Sequence, residues 1–253
     1  MILDEIVASR RGRPRSASAP RPRGPRRSLA ARLQPGALPA VIAEHKRCSP
    51  SAGAIGPPGR SLVDVVQSYE RHGAAALSVL TNAEFFGAKP DDLWQARTAT
   101  RLPVLRKEFL LDEADVVESL QLGADAILLI ARILPGAQLG ELYRLARSLD
   151  LEVLVEVHSL GEAERALIAG AVLLGINHRD LDTLRVDLSL SQKIRAALRP
   201  PPDVLFVGES GLRTTADLER MRQHRMDAVL IGESLLTAPD PGVALAKLLG
   251  SPR

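Results

Sequence analysis

Short apolar runs alternate with longer amphipathic stretches from residue 41 to the end of the chain. The apolar runs are rich in β-branched side chains, which is typical of buried strands. The stretches between them place apolar residues three or four positions apart, which indicates helices that bury one face. Eight strands are predicted: Val41–Lys46, Ala76–Thr81, Pro103–Phe109, Ala126–Ile130, Glu152–His158, Leu173–Asn177, Asp203–Glu209 and Asp227–Ile231. Eight helices are predicted to follow them: Ser61–His72, Asp91–Thr98, Glu113–Leu122, Leu139–Leu149, Gly161–Ala169, Leu188–Leu198, Thr215–Arg225 and Pro241–Leu249.

Continuous apolar strands separated by helices indicate a parallel sheet that is covered by helices. Eight such units in a chain of 253 residues predict a single α/β domain, a (β/α)8 or TIM barrel, whose active site would lie at the C-terminal ends of the strands. A doubly wound open sheet is the alternative fold. That fold usually has a glycine-rich turn after its first strand, and the sequence CSPSAG at this point does not match it.

Residues 1–40 differ in composition from the rest, so we divide the chain into an N-terminal extension (1–40) and a barrel domain (41–253). The extension has nine arginines, no lysine and two acidic residues, giving it a net charge of +7, whereas the barrel domain carries −4. Its segment Arg10–Arg27 is rich in Pro, Arg and Ser with few apolar side chains to bury, and is predicted to be mobile. Helices are predicted on either side of it, at Leu3–Ser9 and Ser28–Leu33.

Several classes of protein are disfavoured by composition. No apolar run reaches the roughly 18 residues of a membrane span, and the N-terminus lacks the basic-then-apolar order of a secretory signal. Cys48 is the only cysteine, so an intramolecular disulfide is excluded. The five histidines have no paired ligand spacing. We therefore expect a cytoplasmic protein without a metal or other cofactor and without a membrane partner.

Polar and ionisable residues stand at the C-terminal ends of five predicted strands. One such residue alone would be a solvated rim residue, but five strands with the same placement favour an active site in which neighbouring charges perturb pKa values. Lysine is a plausible acid and glutamate a plausible base for proton transfer. His158 shares a strand face with Glu156, where it either orients that carboxylate or only packs. The candidate catalytic residues are Glu44, Lys46, Lys107, Glu156, Asn177 and Glu209.

Two glycine-containing turns predict a phosphate site. GESGL follows the seventh predicted strand and IGESL lies at the end of the eighth. TIM barrels often bind phosphate with the loops after these two strands. Gly211 and Gly232 would let backbone N–H groups approach an anion closely, although each alone could be an ordinary turn glycine.

These motifs together resemble the indole-3-glycerol phosphate synthase family over nearly all of residues 41–253. IAEHKRCSPS is similar to the family's I-A-E-x-K-R-x-S-P-S, VLRKEF to V-L-x-K-D-F, and GINHRDL to G-x-N-x-R-D-L. LVEVH, VGESGL and LIGESLL resemble the family's fifth, seventh and eighth strand ends. The resemblance implies closure of an indole ring on 1-(2-carboxyphenylamino)-1-deoxyribulose 5-phosphate with release of carbon dioxide and water, without metal or redox cofactor.

The resemblance also implies roles for individual residues. Lys107 would be the general acid toward the ribulose carbonyl, Lys46 would hold the substrate carboxylate, and Glu156 would be the base or acid of the dehydration. Glu44 and Asn177 would position Glu156 and the substrate hydroxyls, while Glu209 and Ser210 would complete the polar mouth. The remaining substrate-binding candidates are Ser49, Gly211, Gly232 and Glu233 for the phosphate, Phe86 and Phe109 for the anthranilate ring, and Arg179 near the pocket.

The sequence departs from the family pattern at several positions: Glu108 replaces a common Asp, His178 a common Asn or Ser, and Asn82 a frequent acidic residue.

Two alternative functions remain open. Lys107 could form an imine in an aldolase-like or isomerase-like barrel, or the basic extension could bind nucleic acid. The acidic barrel domain and the absence of a recognition motif argue against nucleic-acid binding. We expect a phosphorylated small-molecule substrate, no nucleic-acid partner, and a monomer or weak homo-oligomer.

Overall fold

The barrel predicted from the sequence is present. A computed structural model describes residues 2–12, 24–34, 36–50, 52–56 and 59–250. Its eight parallel strands close on themselves, since the first pairs with both the second and the eighth. They are β1 Ala40–His45, β2 Ala76–Leu80, β3 Val104–Lys107, β4 Ala126–Ile130, β5 Glu152–Val157, β6 Leu173–Asn177, β7 Leu205–Glu209 and β8 Ala228–Ile231.

The eight helices that follow the strands confirm the predicted alternation, with ends within two residues of those expected, whereas the N-terminal helix continues three residues beyond the expected Ser9 to Gly12. Two short helices (Ala83–Phe86 and Glu233–Leu236) and a small hairpin (Cys48–Ser49 with Gly53–Ala54) had not been predicted. No helix in the described ranges is long and apolar enough to cross a membrane. The helices are α1 Ile2–Gly12, α2 Leu29–Arg32, α3 Leu62–Arg71, α4 Ala83–Phe86, α5 Asp92–Ala99, α6 Glu113–Gln121, α7 Gln138–Ser148, α8 Leu160–Ile168, α9 Leu190–Ala197, α10 Thr215–Gln223, α11 Glu233–Leu236 and α12 Pro241–Leu248.

The inside of the barrel follows from the two-residue period of a strand. Every second residue points inward, so β5 alone contributes Glu152, Leu154 and Glu156 to the interior in succession. Apolar side chains fill the lower and middle levels; among them are Ile42, Leu105, Leu128, Leu154, Leu173 and Leu230. The outward side chains join the helices in a separate apolar layer. Among the described residues, charged groups therefore meet inside the barrel at its two ends.

Helix α2 closes the bottom of the barrel, which is the end where the strands begin. Leu29 and Leu33 have no exposed surface and belong to the interior apolar cluster. The Glu152 carboxylate receives hydrogen bonds from the Ser28 hydroxyl at 2.7 Å and the Ala30 backbone N–H at 2.8 Å. Arg26 adds an ion pair to the same carboxylate at 3.0 Å. Helix α2 thus fills a barrel end that water would otherwise enter.

The prediction that Arg10–Arg27 is mobile is wrong at both ends of that segment. Arg10 belongs to α1, which continues to Gly12, and its buried guanidinium pairs with Asp115. At the other end, Arg27 donates to the carbonyls of Arg97 and Leu102, each at 2.9 Å. Composition had suggested mobility because the segment lacks apolar side chains, but arginine can be fixed by buried carboxylates and carbonyls instead. Residues 13–23 of the segment lie outside the described residues.

We expect Leu29→Ala to lower the free energy of unfolding by about 2–5 kcal/mol, because it removes a buried side chain and leaves a cavity. Urea unfolding measures this change, and kcat and KM should stay near wild type because Leu29 lies at the bottom of the barrel. Gln34→Ala is the control: Gln34 is exposed and its substitution should change stability by about 0.5 kcal/mol or less. Equal stability of the two variants would contradict the role given to α2.

Candidate active site

A cavity of about 200 Å³ opens at the mouth of the barrel, the end where the strands finish. The structure brings all but one of the predicted site residues to its wall; the exception, Glu209, lies fully buried behind Lys107. The predicted residues that line the cavity are Glu44, Lys46, Ser49, Phe86, Lys107, Phe109, Glu156, Asn177, Arg179, Ser210, Gly211, Gly232 and Glu233.

The Lys107 ammonium stands at the centre of this mouth. Its Nζ lies 2.7 Å from Glu209 Oε2, 3.7 Å from Glu156 Oε2 and 3.8 Å from Glu44 Oε2. The four residues come from β3, β7, β5 and β1, all from inward-facing positions near the strand ends. Residues far apart in sequence therefore form one compact group of charges.

Burial and mutual contact determine which of these groups are charged. Burial alone would lower the pKa of Lys107, but Glu209, Glu156 and Glu44 raise it well above its usual value, so the amine is protonated. Burial would raise the pKa of Glu156, yet Lys107 and His158 hold it below the usual value. For Glu209, burial prevails over Lys107 and raises the pKa to about 7. The mouth thus contains a fixed cation, an ionised carboxylate and a carboxyl that titrates near neutrality.

Glu44 and Lys46 form an ion pair with each other. Lys46 Nζ donates to Glu44 Oε1 at 2.6 Å. Burial would raise the pKa of Glu44, but Lys46 and Lys107 outweigh it and keep the pKa low. The two charges that end the first strand therefore stabilise each other in the absence of substrate.

Asn177 fixes Glu156 from the neighbouring strand. Its Nδ2 donates to Glu156 Oε1 at 3.1 Å, and its own Oδ1 accepts the Arg179 backbone N–H at 3.0 Å. The orientation of the Asn177 amide is thereby set by one hydrogen bond that it donates and one that it accepts. Asn177 thus limits the directions in which the Glu156 carboxylate can point.

Two glycines make room for the buried carboxylates. A Cβ at Gly175 would lie 2.1 Å from Glu209 Oε1, and a Cβ at Gly232 would lie 2.5 Å from Glu44 Oε1. Any side chain at either position would displace a carboxylate that contacts Lys107. The glycine inside strand β6 was a sequence signal for this close approach, although the sequence did not say which group approaches.

The turn after β7 borders the other side of the cavity. Ser210 and Gly211 both have positive φ, at 67° and 78°. His178 Nδ1 lies 3.3 Å from the Ser210 carbonyl oxygen, within hydrogen-bonding distance. Glu233, at the start of α11, pairs with Arg213 at 3.1 Å. This part of the wall therefore combines two turn residues with the Glu233–Arg213 ion pair and is separate from the charged cluster around Lys107.

Apolar side chains that the sequence reading did not assign complete the cavity. Leu3 and Ile6 of α1 lie over the mouth and are almost fully buried. The predicted pair Phe86 and Phe109 stack with ring centroids 6.4 Å apart. Leu181 and Leu184, from the loop after β6, line the same cavity. The apolar residues of α1 were visible in the sequence, but no local pattern indicated which surface they would cover.

Glu108 connects this apolar wall to α1. Its carboxylate accepts from Thr81 Oγ1 at 3.0 Å, from Asn82 Nδ2 at 3.3 Å and from the Phe109 backbone N–H at 3.1 Å. Arg10 Nη1 of α1 lies 3.8 Å away. Glu108, which departs from the family pattern, therefore joins the ends of β2 and β3 to the helix above them.

Fold and site together define a TIM-barrel enzyme of the acid–base type, with a buried lysine among carboxylates at the mouth. Among the described residues, no group of three His, Cys, Asp or Glu side chains is arranged to hold a metal ion. The chain belongs to the indole-3-glycerol phosphate synthase family, whose model, "Indole-3-glycerol phosphate synthase", matches residues 4–248. It is accordingly a carboxy-lyase of tryptophan biosynthesis that closes the indole ring on 1-(2-carboxyphenylamino)-1-deoxyribulose 5-phosphate.

Similar proteins carry the same family name. An indole-3-glycerol phosphate synthase from Polaromonas sp. (strain JS666 / ATCC BAA-500) is 48% identical, covering 88% of this chain and 83% of that protein. One from Legionella pneumophila (strain Paris) is 40% identical over 98% of this chain and 95% of that protein. Among solved structures, thiamine phosphate pyrophosphorylase from Pyrococcus furiosus has a TM-score of 0.62 at 19% identity, covering 88% and 96% of the two chains. At that identity the likeness concerns the fold alone.

We expect the Glu209 carboxyl to lose its proton near neutral pH, because burial and the Glu156 charge raise its pKa to about 7. Infrared difference spectra between about pH 5.5 and 8.5 should show a protonated-carboxyl band that Glu209→Gln lacks. In Glu156→Gln the band should disappear at lower pH, since a neighbouring negative charge has gone. Identical difference spectra for wild type and Glu209→Gln would mean that Glu209 does not change its protonation state in this range, which would contradict the prediction.

Proposed function

We propose that the mouth cavity carries out the family reaction with Lys107 as the general acid. The observation that carries this proposal is the contact of one ammonium with carboxylates from three other strands. Ring closure builds negative charge on the ribulose carbonyl oxygen as the aromatic carbon attacks it. A fixed ammonium directed at that oxygen stabilises the developing charge and can supply its proton.

The protonation of Lys107 favours this role over imine formation. An amine must be neutral to attack a carbonyl, whereas the carboxylates raise the pKa of Lys107 well above its usual value. We therefore expect no covalent adduct when substrate and borohydride are added together. An aldolase-like function is correspondingly disfavoured.

Lys46 is suited to hold the substrate carboxylate without over-stabilising it. Its charge is already shared with Glu44 at 2.6 Å. An ammonium with a permanent anionic partner attracts a second carboxylate less strongly than a lone cation would. The substrate carboxylate can thus be oriented and still leave as carbon dioxide, which restores the aromatic ring.

Glu156 is suited to accept the proton that is removed during dehydration. Lys107 and His158 keep its pKa low, so the carboxylate is ionised before substrate arrives. Asn177 holds one oxygen in place, while Lys107, reprotonated from solvent after ring closure, can protonate the departing hydroxyl, which leaves as water. The acid and the base of this step would therefore be neighbours, with Glu209 as the partner that keeps Lys107 in position.

Lys107→Met should lower kcat by about 10²–10⁴-fold, the usual loss when a general acid is removed. The assay is the appearance of indole fluorescence after addition of the carboxyphenylamino deoxyribulose phosphate. Because Met leaves the carboxylates without a cation, Lys107→Arg serves as a second variant: it keeps the charge but is too weak an acid to donate a proton. A folded Lys107→Met protein with most of its turnover would refute the assignment.

The substrate phosphate is proposed to bind the turn after β7 and the start of α11. Ser49, Gly211 and the backbone at Gly232 and Glu233 border this part of the cavity. Small residues leave backbone N–H groups open to an anion. The anthranilate ring would then lie against Phe86 and Phe109 under α1, with Arg179 at the pocket edge.

Inorganic phosphate should compete with the substrate at constant ionic strength. Gly211→Ala should weaken the binding of inorganic phosphate and the binding of substrate. A Cβ at Gly211 would lie 2.4 Å from Val186 Cγ1, and the φ of 78° disfavours any side chain. Gly161→Ala is a matched control, because nothing lies within 4 Å of a Cβ there. Inhibition constants and KM values measure both effects. Absence of competition would show that the anion binds elsewhere.

We retain the division into an extension (1–40) and a barrel domain (41–253) as a proposal, with different roles for the two ends of the extension. Helix α1 covers the apolar part of the cavity through Leu3 and Ile6, and α2 closes the bottom. Helix α1 would contribute to catalysis by excluding water from the substrate ring. A cytoplasmic location, a monomer or weak homo-oligomer and the absence of a nucleic-acid partner remain predictions.

A further inference from the structure

His158 lies directly after β5, between two carboxylates. Its Nε2 is 3.4 Å from Glu156 Oε1 and its Nδ1 is 3.5 Å from Glu162 Oε2. The imidazole is almost fully buried, at 7% side-chain exposure. In the described part of the chain, neither ring nitrogen makes a conventional hydrogen bond. The ring therefore stands between the two carboxylates, each at the edge of hydrogen-bonding distance.

Glu162 is held in place independently of the imidazole. Its Oε2 accepts the His158 backbone N–H at 2.7 Å. It occupies the first turn of α8, where its own N–H donates to the N-cap Ser159 Oγ at 3.2 Å. The carboxylate position is thus fixed by the start of the helix, which makes Glu162 a fixed anion behind the ring.

The two oxygens of Glu156 have different surroundings. Oε1 accepts from Asn177 at 3.1 Å and faces His158. Oε2 faces Lys107 at 3.7 Å. One oxygen is therefore held from two directions, and the other is turned toward the ammonium that we take as the general acid.

We propose that His158, supported by Glu162, is a positioning residue that fixes Glu156 through Oε1 and leaves Oε2 to take the substrate proton. This inference rests on the proposed role of Glu156 as proton acceptor and goes beyond it by naming the reacting oxygen. His158 touches no substrate in this arrangement. It acts only through the carboxylate of Glu156.

The charges around the ring agree with this arrangement. His158 faces Glu156 on β5 and Glu162 on α8, with Glu209 of β7 further off, and Arg132 lies beside Glu162. Burial alone would lower the pKa of His158, but Glu162 and Glu156 outweigh it and raise the pKa. The imidazolium is most populated at acid pH, where Glu156 is closest to being protonated. The imidazolium of His158 therefore helps to keep Glu156 ionised on the acid side of the kcat profile.

Three variants test the inference in the full-length enzyme. His158→Asn removes the cation, Glu162→Gln removes its anionic support, and Glu164→Gln makes the same change at an exposed position on the same helix. We expect the acid limb of the kcat profile to move up by about one pH unit in His158→Asn, because an opposite charge near Glu156 is lost. Glu162→Gln should move the acid limb by a smaller amount in the same direction, and Glu164→Gln should leave the acid limb unchanged. KM should change little, since phosphate and ring contacts remain.

An unchanged acid limb in folded His158→Asn would overturn the inference. If that variant does not fold, Glu162→Gln decides instead, and an unchanged limb there has the same meaning. Titration of the His158 ring by NMR gives a readout apart from activity: its pKa should fall in Glu162→Gln, and a constant value would also count against the proposal. Retained turnover in Glu156→Gln would refute the role of Glu156 itself, a separate failure from that of His158.

Discussion

The buried ammonium of Lys107 and the carboxylates around it depend on each other. Any one of these charges would be costly to bury alone, and together they satisfy one another. The contact of 2.7 Å to Glu209, which has no exposed surface, holds the lysine at the centre of the barrel. The need for a glycine at Gly175 and the low pKa of Glu156 both follow from accommodating this group. The proposed acid and the proposed base are thus organised by the same interaction.

Contacts that stabilise the barrel lie at its bottom, and the candidate active site lies at its mouth. The N-terminal extension contributes a helix to each end. At the bottom, Glu152 binds the residues that begin α2, and apolar side chains of that helix continue the interior. At the mouth, Glu156 of the same strand belongs to the charged cluster. Between these two carboxylates lies Leu154, which has no exposed surface. The apolar middle level keeps the carboxylate of Glu152 at the bottom apart from that of Glu156 at the mouth.

Much of the candidate site could be read from the sequence because the C-terminal ends of parallel barrel strands meet at one mouth. Lys107, Glu156 and Glu209 were assigned to such strand ends, and the structure brings them together. The wall formed by α1 could not be read in the same way. Its Leu3 and Ile6 look like the apolar face of any short helix, and their position over the mouth depends on Arg10, whose partner Asp115 is distant in sequence.

The sequence by itself determined eight strand–helix units, the closed barrel and the end at which polar side chains gather, because local periodicity specifies both the elements and the faces of their residues. Only the tertiary structure decided the charge states. The pKa of Glu209 near 7 arises from burial beside Glu156 and Lys107, and the place of His158 between two carboxylates arises from the meeting of β5 and α8. Electrostatic interactions depend on distance and burial through space, and neither quantity is encoded in the spacing of residues along the chain.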